Sequence, residues 1–154
     1  MKHYTTIEQS KRLLELGMNP ETADMHHSKW TKIDNIDYVG IGYNELDKEE
    51  YGDVFLPCWS LGSLLEVMPR YIHSGRYINS DIVDCPLSIF PFDVENTRIK
   101  EHCWIICYTD YDEELDDCNF RIEQRGNNLI DAAFNMVVWL LENNYITRID
   151  NGKD

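Results

Sequence analysis

Asn128-Leu129-Ile130-Asp131-Ala132-Ala133-Phe134-Asn135-Met136-Val137-Val138-Trp139-Leu140-Leu141-Glu142-Asn143 is the stretch that decides the fold class of this chain. Asn128 stands where a short polar side chain can accept from a backbone N–H of the first helical turn, and Asp131 completes the capping pattern. Ile130, Ala133, Phe134, Val137, Val138 and Leu141 then recur at helical spacing and form one apolar face. Leu129, Ala132, Met136, Trp139 and Leu140 widen it. A helix with so broad an apolar surface needs cover on most sides, which predicts a helix over about 128–143 lying across a sheet, with Trp139 largely buried.

The preceding segments supply strands. His102 to Tyr108 is almost wholly apolar and rich in strand formers, the pattern of a strand covered on both faces. Asn119 to Gln124 alternates, with Phe120 and Ile122 set against Arg121 and Glu123, and Asp110 to Cys118 makes a hairpin-like connection between the two. Leu87–Phe92 reads as an extended edge segment, because Pro91 has no N–H to give to the centre of a sheet. Residues 69–86 show no dependable period.

Two further helices are written nearer the N-terminus. Ser60 suits an N-cap, Leu61, Leu64, Leu65 and Met68 fall on one face, and Pro69 ends the run, giving a helix over about 60–68. Thr5 and Glu8 fit a capping box for a helix over about 6–16, and Gly17 stands where a left-handed C-terminal turn would fall. Asn19-Pro20-Glu21 opens a short helical turn expected to reach Met25. Asp37 to Tyr43 alternates like a strand whose Gly40 and Gly42 point to a bulge or an edge. Residues 44–53 form an acidic loop, and Val54-Phe55-Leu56 is a short apolar run stopped by Pro57. The expected architecture is α+β in a single domain over 1–154: a small, mostly antiparallel sheet with its helices packed on one side.

Bulk properties narrow the function classes. A length of 154 residues fits one domain, and 43% hydrophobic residues is too many for a disordered chain. Twenty-eight acids against fourteen Lys and Arg leave a net charge of −14. Such a surface repels phosphate backbones, so direct binding to DNA, RNA or anionic lipid is not expected. It keeps copies apart in solution, or it meets a partner protein with a basic face. Of the 28 acids, five fall in 45–53 and six in 110–117, and a surface imitating DNA would be the sharpest form of such a partner site. Five cysteines are an odd number without the regular spacing of a disulfide framework. The opening Met1-Lys2-His3-Tyr4-Thr5 leads into a polar amphipathic stretch rather than a secretory leader, and no run of about eighteen apolar residues occurs. A reducing cytoplasm with free thiols is the expected setting. Oligomeric state is not set by any of these features.

No catalytic, cofactor-binding or metal-binding residue emerges from the candidate motifs. Cys103 and Cys107 lie four apart on a strand and share a face opposite His102; a metal site wants a second such pair, so buried, inert thiols are expected. Asp24, His26 and His27 are dense in metal-capable groups, but adjacent histidines diverge, and a surface loop pair is the simpler reading. Asp110, Asp112, Glu114 and Asp116 imitate a calcium loop, yet Leu115 occupies the position of the turn glycine and Arg121 that of the bidentate carboxylate. Gly40-Ile41-Gly42 lacks the third glycine and the helix of a dinucleotide site. Cys58 and Cys85 carry no signature of an activated nucleophile. Pro57-Cys58-Trp59-Ser60-Leu61 at a helix entrance reads as a hydrophobic staple of Trp59 on Leu64 rather than as a reactive thiol.

Three stretches carry a resemblance when taken together: Thr5-Thr6-Ile7-Glu8-Gln9-Ser10 through Asn19-Pro20-Glu21-Thr22-Ala23-Asp24-Met25, Leu56-Pro57-Cys58-Trp59-Ser60-Leu61 through Met68-Pro69, and Asp131-Ala132-Ala133 through Val138-Trp139-Leu140-Leu141-Glu142-Asn143. In their order and spacing they resemble an uncharacterised family of small acidic proteins from gut bacteria of the Bacteroides type, associated with prophages and other mobile elements. The resemblance implies no activity and no catalytic residues. It implies an accessory or host-interaction role. The expected function is a non-enzymatic accessory or interaction protein of a mobile element acting through an acidic surface, favoured by the clustering of acids. The alternative is a small enzyme or ligand-binding domain with a pocket near the Trp59 and His26 segments.

Overall fold

The computed structural model describes residues 3–30, 36–42, 55–78, 81–96, 99–112 and 117–149. In chain order these residues form α1 (Ile7–Glu15), a 3-10 turn (Pro20–Thr22), β1 (Met25–Trp30), β2 (Ile36–Ile41), β3 (Leu56–Cys58), α2 (Leu61–Val67), β4 (Tyr71–Ile78), β5 (Asp81–Asn96), β6 (Ile99–Asp112), β7 (Asp117–Gly126) and α3 (Leu129–Glu142). The strands make two antiparallel sheets, one in the order β2-β1-β3 and one in the order β4-β5-β6-β7. The fold is α+β.

The larger sheet is a meander whose strands are staggered. Tyr71 to Ile78 pair with Pro86 to Asp81, Leu87 to Asn96 with Tyr108 to Ile99, and Trp104 to Asp112 with Gly126 to Asp117. Alternation along each strand sends Ile72, Cys85, Ile106, Tyr108 and Ile122 to one face, where they join the main core. Leu13 of α1, Leu64 of α2 and Ile130, Ala132, Ala133, Met136, Val137, Leu140 and Leu141 of α3 meet them there. All three helices therefore cover the same face. Ile105 and Cys107 point the other way and are also buried, at 0% and 2% exposed, so β6 is enclosed on both sides at its centre. Tyr108 keeps its hydroxyl satisfied by donating to the Pro69 carbonyl at 2.7 Å. Burial holds the phenol well above its ordinary pKa.

Helix α3 opens as its sequence requires. The Asn128 side chain accepts from the Asp131 N–H at 3.0 Å. The Asp131 carboxylate in turn accepts from Asn128 Nδ2 at 2.7 Å and from Gln9 Nε2 of α1 at 2.9 Å. Its first turn lies on Gly126: a Cβ there would stand 2.3 Å from the Ala132 nitrogen and 2.8 Å from the Asp131 carbonyl carbon. Glycine is required at 126 by that approach of two backbones.

Several expectations are corrected. The box at α1 is Thr6 with Gln9, at 3.0 and 2.9 Å, not Thr5 with Glu8; Thr5 is buried elsewhere. The turn after Asn19 ends at Thr22, and Met25 already begins a strand. Pro57 lies inside β3 rather than stopping it. Residues 71–78 and 81–86 are strands despite their lack of period. Trp139 is half-buried and stacks on Tyr145, ring centres 5.4 Å apart. Gly17, with φ +83°, ends the first helix region as expected. No helix among the described residues is long and apolar enough to cross a membrane.

Val137→Asp places a charge at a fully buried position and is expected to unfold the protein, at a cost of about 4 kcal/mol or more. Gly126→Ala forces α3 off the sheet and is expected to cost about 3 kcal/mol. A urea titration followed by far-UV circular dichroism checks both, and a Gly126→Ala protein as stable as wild type would refute the close-packing account.

Candidate functional site

The N-terminal segment is tied into the molecule by Thr5. Its N–H donates to the Trp59 carbonyl at 2.9 Å, and its Oγ1 accepts from the Trp59 N–H at 3.0 Å. Ser10 Oγ is 2.8 Å from the same oxygen, and Cys58 Sγ is 3.7 Å from it. The Thr5 carbonyl is approached by His27 Nε2 at 2.9 Å and by Cys58 Sγ at 3.5 Å. A carbonyl only accepts, so His27 carries its proton on Nε2 and the thiol donates as well. The hydroxyl protons then run from Ser10 to Thr5 and from Thr5 to the sulfur, which satisfies every group in turn.

This is the thiol–imidazole pair a search for a nucleophile would pick out. Its chemistry is already committed. Cys58 is 0% and His27 6% exposed, and both point at one backbone oxygen. The cluster holds β1, β3 and the segment around Thr5 together; a nucleophile needs a reachable sulfur with a base on it.

His26, next along β1, faces the opposite side. Its ring stacks on Phe55 at 4.3 Å and lies over Gly40, where a Cβ would be 2.3 Å from Cε1. Nδ1 donates to the Gly42 carbonyl at 2.6 Å. The two histidines thus belong to a strand, not to a surface loop, and they diverge as adjacent strand residues must. Gly40 and Gly42 serve this contact and an edge strand's end, Gly42 adopting φ +84°.

Asp24 joins the small sheet to α2. Its Oδ1 accepts from the Ser60 N–H at 2.8 Å and its Oδ2 from the Ser60 hydroxyl at 2.5 Å. Partial burial pushes this carboxyl up, but hydrogen bonds from the Ser60 hydroxyl and N–H and from Ser63 outweigh it and hold the pKa below its ordinary 3.8. Beside this clamp runs an open groove of about 540 Å³, lined by Glu21, Thr22, Ala23, Asp24, Gly62, Ser63, Glu66 and Val67. Among the described residues, three carboxylates and no Lys or Arg line it. Under its wall the Trp59 indole donates to Thr22 Oγ1 at 2.9 Å, and Trp59 and Leu64 are both fully buried in the core.

The remaining candidates do not converge. Cys107 is buried, with Thr109 Oγ1 3.2 Å from its sulfur, whereas Cys103 is half-buried rather than enclosed. Cys85 is a core residue of β5. Among the described residues no three His, Cys, Asp or Glu side chains stand close enough to share a metal ion. Asp110, Asp112, Glu114, Asp116 and Cys118, and the acid-rich stretch 45–53, lie outside the described side chains. Ser10 and Glu66 carry no motif in the sequence, and Thr5 and Glu21 read there only as helix-start residues. Only the proximity of polar residues to Pro20 and Ser60 hints at them, and nothing local says that these segments meet. No family model, curated protein or solved structure matches the chain.

Thr5→Val keeps the shape but strips acceptors from the Trp59 N–H and the Ser10 hydroxyl. It is expected to cost about 2 kcal/mol, against about 1 kcal/mol for removing the ordinary helix cap with Thr6→Val. Equal losses in chemical denaturation would show that the knot is unimportant. The depressed Asp24 pKa means the clamp stabilises the fold above pH 3.8 and is lost as pH falls through the folded value. Asp24→Asn should therefore be less stable than wild type at neutral pH, with the difference closing in acid; a pH-independent difference would contradict this.

Proposed function

We propose that this protein is a non-enzymatic accessory or interaction protein of a mobile element, engaging a basic protein partner through its acidic surface. The observation that carries this reading is the groove between the 3-10 turn and α2, where Glu21, Asp24 and Glu66 gather with no compensating base among the described residues, on a chain of net charge −14. A cationic side chain entering it meets carboxylates, Thr22 and Ser63, and apolar lining from Ala23 and Val67. Exposed carboxylates act chiefly on encounter rate and partner choice, as suits a surface that selects by charge. The inward commitment of Cys58 and His27 supports a role without covalent catalysis. The resemblance to small acidic proteins of mobile elements supports the setting.

The groove also favours a second reading. Its volume falls within the range of small-molecule sites, and it flanks Trp59 and the start of β1, so a small cationic ligand is the alternative occupant.

Fluorescence anisotropy with a labelled Lys- and Arg-rich peptide tests the proposal. Wild type should bind, and Glu21→Lys with Glu66→Lys should weaken binding roughly tenfold at low salt, the gap narrowing as salt screens the exposed charges. Identical affinities for the two proteins would reject the groove as the contact. Saturable binding of a small amine with no peptide binding would favour the second reading.

A further inference from the structure

We propose that the outer edge of β5 beyond Pro86 is a pairing surface for a second copy of this chain, and that Pro91 holds it shut. Over 81–86 the neighbour of β5 is β4, but over 87–96 the only described strand beside it is β6. The stretch Leu87-Ser88-Ile89-Phe90-Pro91-Phe92-Asp93-Val94 is rich in strand formers, which makes a bare edge here a template for another extended chain. Two antiparallel copies of one edge are self-complementary about a two-fold axis, so the readiest occupant is the same segment of another molecule.

The direction of the backbone groups follows from one bond. Leu87 N–H donates away from β6, to the Arg70 carbonyl at 3.0 Å. The β5–β6 register runs from Leu87 to Asn96 without a shift, so alternate residues keep that direction, and 89, 91, 93 and 95 also turn their backbone groups outward. Pro91 falls in this outward set. Its missing N–H therefore costs the β5–β6 ladder nothing, while it removes a donor from the middle of the open edge and sets a ring in the path of an incoming strand. A proline one residue earlier or later would have deleted a bond to β6 instead. The net charge of −14 opposes the same contact at long range, but salt screens it; the proline is not screened.

Sedimentation velocity on the full chain at several concentrations tests this, with circular dichroism reporting folding. Wild type is expected to stay monomeric in low and high salt. Pro91→Val should give a concentration-dependent dimer, stronger in high salt. Pro86→Val, which restores an N–H facing away from the open edge, should remain monomeric. Pro91→Val combined with Asp93→Pro returns a donorless position to the outward set and should restore the monomer. A folded, monomeric Pro91→Val protein, or a wild type that already dimerises, overturns the proposal. If Pro91→Val precipitates, the double variant decides: a soluble monomer supports the edge mechanism, and continued precipitation overturns it.

Discussion

Helix α3 reaches the larger sheet at a point where two backbones nearly touch, and the absence of a side chain at Gly126 is what permits it. With the axis that close, Ala132 and Ala133 fit against β7 and β6, and Met136, Val137, Leu140 and Leu141 continue the contact along the helix. Asn135 adds a bond from its side chain to the Arg125 carbonyl at 2.8 Å. The other helices are placed relative to α3: Gln9 reaches Asp131, Arg12 reaches Glu142 at 2.8 Å, and Leu64 fills the same core. A bulkier residue at 126 would lift the element on which all of these depend.

Covering one face of the sheet so completely leaves the stagger of the strands unprotected elsewhere. Each neighbouring pair overlaps only in part, so the described partner of β5 changes from β4 over 81–86 to β6 over 87–96. Pro91 lies in the second half, among the residues whose backbone groups turn away from β6. The exposed cross-strand pairs His73–Asp84 and His102–Asp93, at 2.7 and 2.5 Å, sit on these thinly covered stretches, where such pairs contribute little to stability.

Polar bonds join the small sheet to this core beside the apolar packing of Ala23 and Trp59. Thr5 spans from α1 to Trp59, and Asp24 clamps the start of α2. Because both attachments converge beside the 3-10 turn, the groove is formed by two units meeting, and its carboxylates come from both. The same attachments take the thiol of Cys58 and the imidazole of His27 out of reach of solvent.

Local physics determined the helices and the central strand. The caps at Asn128 and Ser60, the apolar period through 129–141 and the almost wholly apolar run at 102–108 each depend on neighbours in sequence, so they could be read from it. Pro91 marked an edge for the same reason: the proline ring acts on its own backbone. What only the tertiary structure decided were relations between distant segments. Thr5 and Thr6 are identical in type and adjacent, and which of them caps α1 depends on Trp59, more than fifty residues away. Residues 71–78 and 81–86 became strands because their pairing with each other outweighs a weak local pattern. Two sheets form instead of one because β1 pairs with β2 and β3, a choice made by register and not by composition. The groove belongs to this second group, since Glu21 and Glu66 are brought together only when Asp24 closes on Ser60, and no periodicity in either segment records that meeting.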